Sequence, residues 1–196
     1  NGYSGVFITD HFLNGNCTVN KKMPDASYEE KIRDFCLGYK QVKEAAKGTD
    51  LDVFFGFEYS YKGTDILLYG MDEEALLSFP EIMTMHTSEL CTKLNGSDIF
   101  AVQAHPFREA GYIDHIRLYP KCVHGVEVVT ATKPDFENKM AGIYAKEYGL
   151  IEFAGTDNHH SKEKEDKHKF GGMESERPIL DEQDFVKAVL SGEMKY

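Results

Sequence analysis

The sequence predicts an α/β fold in the form of a β/α barrel, and three observations carry that expectation. Short runs that are apolar at nearly every position alternate with stretches of helical period, the pattern of parallel strands covered on their faces. Four of these runs, residues 5–11, 53–58, 99–105 and 153–160, close on Asp, Glu or His. In a barrel such strand ends converge on one mouth, which suits the barrel better than an open doubly wound sheet. Neither a G-x-G-x-x-G nor a P-loop sequence is present to favour the open sheet.

The elements follow in order. Residues 5–10 form an apolar run, and residues 12–24, with their Asn and Gly, read as a loop. Ser27 followed by Glu30 makes a capping box, after which Tyr28, Ile32, Phe35, Tyr39, Val42 and Ala46 recur at helical spacing up to Gly48. Residues 51–61 and 66–70 are two strand-like runs separated by Lys62-Gly63-Thr64-Asp65, either neighbouring strands or one interrupted segment. Met83, Leu90 and Leu94 predict a helix over 80–94, ended by Asn95-Gly96.

Residues 99–105 are the next strand, 108–119 match no periodic pattern, and 125–131 are again a strand. Pro134 opens a helix carrying Phe136, Met140, Ile143 and Tyr144 to a Gly149 stop, and residues 150–155 form the strand beyond it. Charge and glycine crowd residues 161–176, which read as a mobile loop. Asp181 then caps a last helix running through Phe185 and Val189 to Gly192.

With 196 residues, one domain over 1–196 is expected. The net charge of -11 opposes general nucleic-acid binding, which depends on clustered Lys and Arg, but a metal site could still hold one phosphate locally. The four cysteines, Cys17, Cys36, Cys91 and Cys122, have no CxxC spacing and suggest no disulfide framework, so a reducing, cytoplasmic setting is expected. No apolar stretch is long enough for a transmembrane helix, and no membrane partner is expected. The chain starts with Asn1-Gly2 rather than Met and runs at once into a strand, which reads as a fold incomplete at its N-terminus.

The chemistry-bearing residues sit at the run ends. In an extended strand residues two apart face one way, so Asp157 and His159 form a metal clamp. A carboxylate such as Glu58 at the end of an aromatic strand needs a cation, because an unpaired buried charge is costly. Pro106 holds His105 extended and stops the strand, fixing that imidazole at a rim. Arg108, three residues on, has the fork geometry for a phosphate or carboxylate. His86 reads as structural and His168 as solvated; His115 and His124 are undecided, and His160 is either a substrate contact or simply exposed.

Five motifs, Ile8-Thr9-Asp10-His11, Gly56-Phe57-Glu58, Ala104-His105-Pro106-Phe107-Arg108, Gly125-Val126-Glu127-Val128 and Gly155-Thr156-Asp157-Asn158-His159, resemble in order the later motifs of the polymerase and histidinol phosphatase (PHP) domain family. The resemblance implies a distorted β/α barrel, TIM-barrel-related, with two or three divalent metal ions (Mn, Fe or Zn) at its mouth, and hydrolysis of a small phosphorylated substrate. It implies Glu58 as a bridging ligand with His105 beside it, Asp157 on one metal, and His159 with His11 on another. Asp65 stands where many relatives place a histidine and is a further candidate ligand. The family's opening His-x-His strand has no counterpart here, so fewer bound metals and weak activity are expected.

Three function classes follow: a metal-dependent phosphoesterase using metal-activated water, a non-catalytic or impaired metal-binding module, and an amidohydrolase-like enzyme acting on C–N bonds. The Arg108 next to a rim histidine favours an anionic ester.

Overall fold

The computed structural model describes residues 2–94, 96–159 and 170–196. Six strands form one curled mixed sheet in chain order: β1 (Gly5–Ile8), β2 (Asp52–Tyr61), β3 (Thr64–Tyr69), β4 (Phe100–Ala104), β5 (Gly125–Thr130) and β6 (Ile151–Gly155). The expectation of uniformly parallel strands is corrected here. β1 and β2 are parallel, as are β4, β5 and β6, but β3 runs antiparallel to both of its neighbours. The reason is a two-residue turn: Lys62 and Gly63 both have positive φ, the conformation whose twist closes a tight hairpin. Near-continuous apolarity reports burial on both faces, and helices cover this sheet whichever way a strand runs.

The long helix α2 (Tyr28–Ala45) begins on the expected capping box, with Ser27 and Glu30 satisfying each other's backbone N–H groups. Its buried Ile32, Phe35 and Cys36 pack with Phe55, Phe57, Ile66 and Leu68 on the outer face of the sheet. The short helices α1 (Thr18–Lys22), inside the expected loop 12–24, and α3 (Glu73–Leu77), capped by Asp72, are too brief to show a period in sequence.

The helix expected over 80–94 is two pieces, a 3-10 turn at Pro80–Met83 and α4 (Thr87–Leu94). His86 precedes α4 instead of lying inside it, and its backbone N–H donates to Glu89. α5 (Asp135–Tyr148) ends at Gly149 in the left-handed conformation and packs Ala141, Tyr144 and Ala145 on Val126 and Val128. Within the stretch read as a loop, β7 (Glu174–Ser175) pairs with β8 (Met194–Lys195) on either side of α6 (Glu182–Leu190); residues 160–169 of that loop, with His160 and His168, lie outside the described residues.

The sulfurs of Cys91 and Cys122 are joined as a disulfide, against the expectation of none. These cysteines are 31 positions apart, and only the packing of α4 beside the turn before β5 brings their Cα atoms to 4.7 Å. No helix among the described residues is long and apolar enough to cross a membrane.

Register places the site. Because side chains alternate and partners share a face, Glu58, Asp65, Leu67, Tyr69, Val102, Ala104, Glu127 and Phe153 all face the concave side. At one end of that side Phe7, Tyr69, Phe153 and Phe185 of α6 close ring on ring, with centroids 4.3–6.2 Å apart. The polar residues are left at the other end.

Candidate metal centre

The mouth is assembled strand by strand. Beyond β1, the Asp10 carbonyl accepts from the Glu58 N–H at 3.0 Å and the Phe12 N–H donates to the Glu58 carbonyl at 2.8 Å, so His11 is held directly beside Glu58. Glu58 is not at a strand end as expected; β2 continues to Tyr61 before turning. That hairpin brings Asp65, near the start of the reversed β3, to the same end of the sheet. Asp65 is paired with Ala104, so His105 follows immediately beside it.

Distances within this group are short. His11 Nδ1 lies 2.9 Å from Glu58 Oε2, and His105 Nε2 lies 3.4 Å from Glu58 Oε1, 3.9 Å from Asp65 Oδ2 and 4.0 Å from Asp157 Oδ2. One ligand atom each from His11, Glu58 and Asp65 falls within a 4.8 Å circle of the others. Glu58, Asp65 and His105 are buried. Despite the nearby carboxylate, His11 Nδ1 is buried without an aligned hydrogen bond among the described residues.

The electrostatics follow from crowding. Burial alone would raise Glu58, but the imidazoles of His105 and His11 hold its carboxyl well below the usual range. Burial and the neighbouring Glu58 push Asp65 up. For His11 the contact with Glu58 outweighs desolvation and raises the imidazole. His105 is desolvated, which lowers it, yet Glu58 and the adjacent carboxylates carry it above its ordinary value. Carboxylates and imidazoles this close form a set that a divalent cation matches in charge and in donor type.

Asp157 and His159 do lie together, but by a different route from the extended strand expected. β6 ends at Gly155, and Asp157 takes the left-handed φ of 47°. The exposed ring of His159 then turns back, its Nδ1 3.1 Å from the Asp157 carbonyl and 3.3 Å from Oδ1, with its centroid 5.9 Å from that of His11. His105, at φ 26°, is the second left-handed residue of the mouth. Strained backbone of this kind persists where the surroundings enforce it and concentrates at functional sites.

Arg108 reaches the same place. Its Nη2 lies 3.7 Å from Asp65 Oδ2 and hydrogen-bonds Tyr112 Oη, its guanidinium sits 5.6 Å from the Tyr112 ring centroid, and its buried Nε has no partner among the described residues.

Two participants were given no role by the sequence reading: Glu127, which lies in one of the five motifs, and Lys133, which lies in none. Glu127 is buried on β5 and accepts from the His105 N–H at 3.2 Å and Thr130 Oγ1 at 2.9 Å; burial pushes its carboxyl up to about 7. A lone carboxylate between Val126 and Val128 was its visible signal. Lys133, whose Nζ is 2.5 Å from Asp157 Oδ2, had none. His124 is structural: its Nδ1 accepts from the Ala101 N–H. His115 is paired with Asp114.

No protein-family model and no curated protein matches the sequence. Among solved structures, the fold resembles a protein of Bifidobacterium adolescentis provisionally assigned as a metal-dependent phosphoesterase, at TM-score 0.51 and 14% identity over 97% of this chain and 86% of that one. It also resembles PsfC from Pseudomonas syringae, at TM-score 0.52 and 17% identity over 78% and 75% of the two chains. At these identities the likeness concerns the fold.

Proposed function

We propose that the protein is a metal-dependent phosphoesterase of distorted β/α-barrel type, with Glu58, His11, His105, Asp157, His159 and Asp65 as its ligand set. The observation that carries this reading is the convergence of Glu58, Asp65, Asp157, His11 and His105 at one end of the sheet, with His11 Nδ1 lacking an aligned hydrogen bond. The fold likeness to the bifidobacterial protein supports it.

His11, Glu58 and Asp65 would hold one divalent cation, and His105, Asp157 and His159 supply donors for a second or third; Mn, Fe and Zn all suit such a mixed imidazole and carboxylate set. Bound cations of this kind lower the pKa of water towards neutrality and offset charge on phosphoryl oxygens. The chain's own residues supply the rest. Glu58, kept ionised by two imidazoles, would serve as a cation ligand without first losing a proton. Arg108, whose guanidinium lies against Asp65 and Tyr112, would donate to a non-bridging phosphoryl oxygen, and the aromatic cluster closes the other end of the concave side.

Release of nitrophenol from p-nitrophenyl phosphate, with added Mn2+ and after chelation, tests the reading. The expected outcome is metal-dependent turnover that falls roughly a hundredfold to a thousandfold in Glu58→Gln, as expected when several kcal/mol of charge stabilisation are lost. A protein that binds Mn2+ yet hydrolyses neither this ester nor other phosphoesters would instead be a non-catalytic metal-binding module.

A further inference from the structure

Lys133 belongs to none of the motifs above, yet its placement is tightly specified. The turn after β5 is fastened to the end of β6, with the Ala131 N–H donating to the Gly155 carbonyl at 2.9 Å and Thr132 Oγ1 to the Asp157 carbonyl at 3.4 Å. The Lys133 N–H donates back to the Thr130 carbonyl at 2.9 Å, and Pro134 fixes the exit into α5. These bonds set the ammonium against Asp157 Oδ2, with the two side chains only 18% and 12% exposed.

The surroundings argue for more than a structural ion pair. Asp157 Oδ2 and Asp65 Oδ2 lie 4.0 and 3.9 Å from the same His105 Nε2, and each carries one cationic side chain, Lys133 on Asp157 and Arg108 on Asp65. Each of the two cations is therefore one carboxylate removed from the same imidazole. An ammonium is a compact charge on a flexible stem with several donors, so it can leave a carboxylate and find another anion nearby.

We propose that Lys133 is a displaceable counter-ion: its ammonium competes with a divalent cation for Asp157 and, once displaced, binds an anionic oxygen of the substrate. This deepens the phosphoesterase reading and rests on it. Two cations at the mouth, Lys133 and Arg108, match a terminal phosphomonoester, with about two charges over three non-bridging oxygens, better than a diester with one charge over two.

Calorimetry on wild type, Lys133→Met and Lys133→Arg tests this, titrating first Mn2+ and then inorganic phosphate into the Mn2+-loaded protein. Removing the competing charge in Lys133→Met should tighten Mn2+ binding roughly tenfold. Phosphate binding should weaken by roughly tenfold to a hundredfold with the loss of one charge-assisted hydrogen bond, and Lys133→Arg should retain it to within a few-fold. Should Lys133→Met fail to fold, Lys133→Gln gives the same readouts. Both shifts are required: a change in only one, or a lower melting temperature with neither, overturns the proposal while leaving the metal centre standing. Wild type that binds no Mn2+ overturns the metal centre and this proposal together.

Discussion

His105 and Asp157 each hold a left-handed backbone that costs a non-glycine residue about 1–3 kcal/mol, so their neighbours must enforce it. For His105 the enforcing group is Glu127, whose carboxylate takes the His105 N–H and is itself confined by Gly155. A Cβ on Gly155 would collide with Glu127 Oε1. Gly155→Ala should therefore cost about 1–3 kcal/mol by overpacking and also weaken Mn2+ binding through displacement of His105. Chemical denaturation with a parallel metal titration checks it; full stability with unchanged affinity would show that Glu127 does not support His105. At this scale the sequence was legible where a polar residue interrupts an apolar run, as at Glu58 and His105, and illegible where a residue acts from a loop, as Lys133 does. The Asp157 and His159 pairing was anticipated with the wrong geometry, since the run was read as extended through Asp157 although Asp and Asn tolerate the left-handed conformation better than other non-glycine residues.

Among the elements, the β2–β3 hairpin decides the composition of the mouth. Reversal at Lys62-Gly63 is what returns Asp65 to the end of the sheet where Glu58 and His105 lie. The Lys-Gly pair was readable as a turn, but its hand was not, because lysine rarely adopts positive φ and gives no cue of the Asn-Gly kind. A second joint links β4 to β5, where His124 Nδ1 accepts from the fully buried Ala101 N–H. Burial lowers the His124 pKa below 6.5. A histidine depressed in the folded state contributes stability that is present above its unfolded pKa and is lost as pH falls through 6.5 towards the folded value. His124→Leu, which leaves that N–H unpaired, should cost about 1–3 kcal/mol near neutrality and less as the pH falls to about 5. Urea unfolding of both proteins across that range measures the gap; a gap independent of pH would remove His124 from the pH response.

Over the whole molecule, helices cover the outer face of the sheet, and the concave side carries aromatic side chains at one end and clustered donors at the other. The order of strands and helices followed from periodicity and caps, and Ser27 with Glu30 located α2. Strand direction did not follow, because apolar content reports burial and not orientation. The buried carboxylates set the stability argument: anything that binds them in the folded chain and not in the unfolded one must raise the melting temperature. Thermal unfolding of wild type and Glu58→Gln, each with saturating Mn2+ and with chelator, is thus the most direct measurement of the metal centre. At about a hundred times Kd, binding contributes about 2.7 kcal/mol, a rise of roughly 5–10 °C for a chain of this size. The metal centre predicts that rise in wild type and its near disappearance in Glu58→Gln; equal melting temperatures with Mn2+ and with chelator in wild type would contradict it.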